Sequence, residues 1–212
     1  FIAKRFFRIY PVFFVCLLIV ATYKTGEYDI SRFFRSAILL QSNYDAWGPT
    51  FGYNLLYPAW TLTYELYFYM IFMIAMCISS RHRVILSLLL IVIPFIILQN
   101  YFLGEINLSG KIYFKVPSGL GILKIPASPM MLEFAYGLIA YLIYRKTNLS
   151  IKKLTFISCC VIYFSSLSSG YRFGPGPINF GISAILIIAA CLLYEKERKI
   201  KEIPALTILG EI

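Results

Sequence analysis

Two carboxylates stand in stretches that are otherwise soluble in lipid. Glu65 lies in "YPAWTLTYELYFY" (57–69) and Glu133 in "MMLEFAYGLIAYLIY" (130–144). An ionisable group inside hydrocarbon costs about 2.5–3.5 kcal/mol at a helix centre, so such groups are rare, face a bundle interior or a cavity, and usually mark function. Glu65 has suitable neighbours. Thr61 lies one turn before it, and Phe68 and Tyr69 follow at i+3 and i+4, which puts all of them on one helical face. Trp60 and Tyr64 form a second i,i+4 pair beside it. The result is a carboxylate with an aromatic wall and hydroxyls from Thr61, Tyr64 and Tyr69, a setting that suits a sugar or another polyol. The carboxylate can orient a hydroxyl, accept its proton or hold a cation. The plainer alternative is a buried glutamate paired with a basic residue for bundle assembly. Glu133 is read as a further substrate contact, near enough to the interface to reach water.

A second group is "FIAKRFFRIYP" (1–11), where Arg5 and Arg8 share a face at i,i+3. With Lys4 they stand at the cytoplasmic mouth of the first helix. Ordinary positive-inside anchoring explains them. So does a guanidinium pair that grips an anionic, phosphate-bearing donor. His82, the only histidine, sits between two arginines in "SRHRV" and is read as a turn residue, not as a base. No Ser-His-Asp or Cys-His arrangement is evident, and no metal-ligand cluster. The five cysteines lie in apolar runs without a CxxC pair and read as small buried hydrophobes.

The elements that must position these residues are membrane helices. The chain has 212 residues, 59% hydrophobic and only 14% charged, with a mean hydropathy of +0.75. A soluble domain carries about 25% charged residues. Six segments approach the roughly 20 apolar residues that a span needs: Phe6–Tyr23, Ala59–Ser79, Val84–Leu103 with a kink expected at Pro94, the short Pro129–Tyr144, Leu154–Ser169 and Ile178–Tyr194. With the N-terminus inside, Lys4, Arg5, Arg8, Arg81, Arg83, Arg145, Lys146, Lys152, Lys153, Lys196, Arg198, Lys199 and Lys201 fall on the cytoplasmic side. Lys24, Arg32, Arg35, Lys111, Lys115, Lys124 and Arg172 fall outside, so the count is 13 against 7. The positive-inside rule selects this orientation and puts both ends of the chain in the cytoplasm. The net charge of +10 is thereby a matter of topology, and no basic–aromatic module points to nucleic acid. In the first outer loop "DISRFFRSAILLQS" predicts an interfacial amphipathic helix. Asp29 or Ser31 is its cap, Phe33, Phe34, Ala37, Ile38 and Leu40 form its apolar stripe, and Arg32 and Arg35 point the other way. The fold expected is all-α: a polytopic bundle of six membrane helices plus this interfacial helix, in one domain over 1–212. The ends, Phe1 and "LTILGEI" (206–212), read as cuts within a longer protein.

These stretches together resemble the acyltransferase 3 family of integral-membrane O-acyltransferases. "RFFRIYP" (5–11) is similar to its R-F-x-R-I-Y-P signature, and "PAWTLTYELYFYMIF" (58–72) to its P-A-W-S-L-S-x-E-x-x-F-Y segment, with Thr61 and Thr63 in place of two serines. "MMLEFAYGLIAYLIY" resembles a later helix with an F-x-x-G core at Phe134–Gly137, and "LTILGEI" the opening of the terminal helix. The resemblance implies transfer of an acyl group, usually acetyl from cytoplasmic acetyl-CoA, to a hydroxyl of a cell-surface polysaccharide or glycolipid at a bacterial inner membrane. It carries over Arg5 and Arg8 as the family's functional arginines, read here as donor-binding, Trp60 as a substrate contact and Glu65 as the catalytic carboxylate; Tyr64 and Glu133 join Trp60 as substrate contacts on the reading of the residues above. No tightly bound cofactor or metal is implied; acetyl-CoA is the acyl donor. The family's key histidine belongs to an upstream R/K-x(10)-H pattern that 1–212 does not contain, so this stretch alone is expected to be inactive. The rival reading is an ion-coupled transporter or flippase using Glu65 and Glu133.

Overall fold

The computed structural model describes residues 1–24, 26, 28–117, 119–146, 151, 153–170 and 174–196. "LTILGEI" and the basic residues Lys152, Arg172, Arg198, Lys199 and Lys201 lie outside them. Seven α-helices and no strand occur among the described residues: α1 (Ile2–Tyr23), α2 (Ile30–Ala37), α3 (Trp60–Ile78), α4 (Arg83–Leu103), α5 (Met131–Lys146), α6 (Lys153–Ser168) and α7 (Ile182–Glu195). The all-α expectation holds. α1, α3 with its leading turn, α4 and α7 with its leading turn are long and apolar enough to cross a membrane. α5 and α6 have 16 residues each, about 24 Å of helix against a core of about 30 Å, so helix length supports four of the six expected spans.

The sequence of α4 shows how an all-apolar helix divides its faces. Ser87, Ile91, Phe95 and Gln99, four residues apart, are buried, whereas Ile85, Leu89, Ile93 and Ile97 form an exposed stripe at the same spacing. An exposed stripe of that kind is at home against lipid tails. α4 continues through Pro94 and ends at Gly104, whose φ of 72° with open space around it is a left-handed cap that glycine adopts without strain. α3 and α4 are antiparallel neighbours joined by the turn Ser79–His82, and α4 packs on α5, α5 on α7 and α7 on α6.

One core joins α3, α4 and α5 to the loops through Tyr64, Ile71, Ile91, Met131 and Ala135 with Phe51, Ile112 and Phe114. A second joins α1 to the start of α3 through Phe13, Leu17, Ala21, Leu39, Leu55 and Ala59. Gln99 fastens the second long loop. Its amide donates to the Asn107 carbonyl (3.0 Å) and the Ala127 carbonyl (2.9 Å) and accepts from the Asn107 N–H (2.7 Å), so a fully buried polar group is satisfied.

α2 exists as expected but presents different faces. Asp29 is its N-cap, through its backbone carbonyl and not its side chain. Phe33, Ser36 and Ala37 turn inward, and the Ser36 hydroxyl accepts from the Leu55 N–H (2.9 Å). Ile30, Phe34 and Ile38 form the exposed apolar stripe. The arginines also bond loop carbonyls: the exposed Arg32 donates to the Tyr53 carbonyl (3.2 Å) and the half-buried Arg35 to the Gln41 carbonyl (3.1 Å). The Tyr53 carbonyl also accepts from the Ser42 hydroxyl (2.7 Å), whereas Arg35 is the side chain that supplies the Gln41 carbonyl with a donor.

Candidate active site

α3 carries the site because its first two turns are held from three sides. Tyr57–Ala59 forms a short 3-10 turn that starts the helix, with Pro58 at a position where its missing N–H costs nothing. Thr61 donates to the Pro58 carbonyl (3.1 Å) and Thr63 to the Leu39 carbonyl (2.6 Å). Leu39 has a φ of 57°, unusual for a branched side chain, and the buried Thr63 hydroxyl holds that turn in place. Both hydroxyls of the T-L-T stretch are therefore engaged by the backbone. The Tyr64 ring is 2% exposed, and its hydroxyl donates to the Pro49 carbonyl (2.7 Å) and accepts from the Ser128 hydroxyl (3.1 Å). The sequence reading turned that hydroxyl toward Glu65. A buried phenol needs a partner, and the two long loops supply it.

Glu65 is half-buried, and Tyr69, one turn later, donates a short hydrogen bond to its Oε1. The Arg5 guanidinium lies over the Tyr69 ring, 5.2 Å from its centroid, and over Phe1 at 5.6 Å. Arg8 and Glu65 border one cavity of about 580 Å³, with Val12, Leu56, Thr61 and Leu62 among its walls. The ring of Phe1 packs against Tyr69 (6.0 Å) and Phe72 (5.7 Å), so the first turn of α1 is level with the middle of α3. α3 continues nine residues past Tyr69, about 13 Å further. The two arginines therefore stand beside mid-α3 and not at the end of the bundle, because the α1–α3 contact is staggered.

Trp60, Tyr64 and Glu133 meet in a second cavity, of about 250 Å³, together with Thr61, Met130 and Phe134. Trp60 and Tyr64 touch edge to face at 6.0 Å, and Phe68 stacks on Phe134 at 4.7 Å below them. Glu133 Oε1 accepts from the Gly176 N–H (3.1 Å), which ties α5 to the short segment before α7. Thr61 borders both cavities. The six sequence-predicted residues are thus brought together around α3 as two sets, Arg5, Arg8 and Glu65 on one side and Trp60, Tyr64 and Glu133 on the other.

An acyltransferase domain model, that of acyltransferase 3, matches residues 1–212. The chain belongs to the acyltransferase 3 family. No curated protein and no solved structure matches the sequence significantly. The acyltransferase is thus a membrane enzyme.

Sequence reasoning missed Lys124. It is 2% exposed, donates a short hydrogen bond to the Tyr44 carbonyl, and lies 5.3 Å from the Phe114 centroid and 5.9 Å from those of Phe51 and Tyr113. Burial lowers its pKa, and Asp45 offsets part of that. Its signal was a lone lysine inside the apolar run "GILKIP".

Proposed function

We propose that this acyltransferase moves an acetyl group from cytoplasmic acetyl-CoA to a hydroxyl of a cell-surface polysaccharide or glycolipid, at a bacterial inner membrane with both ends of 1–212 on the cytoplasmic side. The observation that carries the reading is the pair of cavities sharing Thr61. One has a carboxylate and a guanidinium; the other has aromatic walls and a second carboxylate. A two-substrate transfer needs two compartments that meet, and the aromatic one suits a sugar.

In this account the acceptor hydroxyl attacks the thioester carbonyl carbon. The new C–O bond forms, the C–S bond breaks, and the hydroxyl proton passes through a base to the departing thiolate. Tyr69 engages Oε1 of Glu65. Oε2 is then the atom that receives the acceptor hydroxyl and orients it for attack. Arg8, in the same cavity, supplies positive charge toward the donor, where the carbonyl oxygen becomes an oxyanion. Arg5 fixes the Tyr69 ring and so acts on Glu65 from behind. The general base is the histidine that the family resemblance implies upstream of this stretch.

The test uses the intact protein in proteoliposomes with radiolabelled acetyl-CoA and surface glycan from a strain deleted for the gene. Label in the glycan, and loss of one O-acetyl signal from the deletion strain's glycan, support the reading. Ion-dependent uptake without any labelled glycan contradicts it and favours a transporter.

A further inference from the structure

A third cavity, of about 610 Å³, is bordered by Trp47, Pro49, Tyr53, Trp60, Lys111 and Pro175 and has no part in the transfer step above. Its aromatic walls are open. Trp47 is 63% exposed and rests on Tyr113 at 5.1 Å, and Tyr53 stacks on Tyr57 at 3.7 Å with 20° between the rings. Aromatic faces carry negative potential and attract the weakly positive C–H face of a pyranose. An interfacial aromatic belt explains exposed Trp and Tyr rings, but it does not call for a concave arrangement of them. Lys111 is the only charged residue on the lining among the described residues, so that lining is complementary to an anion.

The third cavity also continues into the site. Trp60 borders both it and the cavity of Glu133, just as Thr61 links the latter to Glu65. Pro175, on its wall, is held in place from both sides. The neighbouring Gly176 N–H is bound by Glu133, and the backbone of Gly110 approaches so closely that a Cβ there would lie 1.7 Å from the Pro175 carbonyl oxygen. The wall is therefore pre-formed, which lowers the ordering cost of binding.

We propose that this outer groove is the docking subsite of an acidic glycan. Sugar rings lie on Trp47 and Tyr53, a carboxylate or phosphate of the glycan pairs with Lys111, and the next residue of the chain passes Trp60 toward Glu133. The inference rests on the carbohydrate-acceptor reading above.

The test measures transfer by the intact protein to surface glycan purified from the deletion strain. The glycan is used untreated, with its carboxyl groups reduced to alcohols, or with its phosphates removed. Trp47→Ala raises the acceptor KM by about tenfold or more, the worth of one lost ring contact, with kcat within about twofold. Lys111→Gln does the same for untreated glycan only, and whichever treatment reproduces its effect on the wild type identifies the anion. Unchanged acceptor KM in both variants overturns the groove while leaving the transfer reaction intact. Equal KM for untreated and treated glycans overturns the anionic part. If the wild type labels no glycan, the proposed function falls. The groove is then tested by Lys111-dependent quenching of tryptophan fluorescence by untreated glycan, and its absence overturns the groove as well.

Discussion

Gly110→Ala is the substitution whose cost follows most directly from the geometry. Gly110 is buried, and an added Cβ would stand 1.7 Å from the Pro175 carbonyl oxygen, 2.5 Å from its carbon and 3.3 Å from Gly176 N. Carbon–oxygen contacts across packed backbones settle near 3.3–3.6 Å, so the 174–176 segment must retreat by about 1.5 Å. All three obstacles are backbone atoms, and no rotamer change relieves them. The retreat also breaks the 3.1 Å bond from Gly176 N–H to Glu133. Overpacking costs about 1–3 kcal/mol, and loss of a hydrogen bond to a charged group about 1.5–3 kcal/mol. The sum is about 2.5–6 kcal/mol. At about 2–4 °C per kcal/mol for a domain of this size, the melting temperature in nanodiscs should fall by about 5–24 °C. Because Glu133→Leu removes the same hydrogen bond, the double variant should lose less than the sum of the two singles. A Gly110→Ala protein that melts within about 2 °C of wild type, or strict additivity with Glu133→Leu, would refute the reasoning.

Other outcomes follow from named contacts. Tyr69→Phe removes the donor to Glu65 Oε1 but keeps the ring under Arg5, so acyl transfer should drop by about 10–100-fold while the melting temperature falls only by the few degrees that one hydrogen bond is worth. Thr63→Val leaves the Leu39 carbonyl without its donor and should cost about 1–3 kcal/mol in chemical unfolding. Lys124→Met orphans the Tyr44 carbonyl at a similar cost. Lys124 also gives a pH signature. Its folded pKa lies below the usual 10.5 because of burial, so the unfolded chain binds more protons as pH approaches that value. Wild type should therefore gain stability relative to Lys124→Met as pH rises toward 10.5, and a flat difference between the two would contradict the burial of that ammonium.

The helices were legible because apolar composition at membrane length is an averaged signal that survives small errors in boundary. α3 and α4 match the expected segments to within a residue, and α1 begins four residues early at Ile2. Local contacts among the candidate site residues were legible from spacing: the i,i+4 pairs Trp60–Tyr64 and Glu65–Tyr69 do meet. Partners that come from distant loops were not legible. Periodicity gives no sign that the Tyr64 hydroxyl belongs to Pro49 and Ser128, or that the α2 arginines serve loop carbonyls. Nor does it give the stagger that sets Arg5 beside Tyr69, because the offset of α1 along α3 is fixed by packing in the second core.

The central claim is that Glu65 handles the acceptor in an acyl-transfer reaction. Its most direct test is the initial rate of labelled acetyl transfer to purified surface glycan by the intact protein with Glu65→Gln, beside wild type at matched expression and melting temperature. A loss of about 100-fold or more is expected, the order of the penalty when the reacting hydroxyl is no longer held in line for attack. Transfer at the wild-type rate would contradict it.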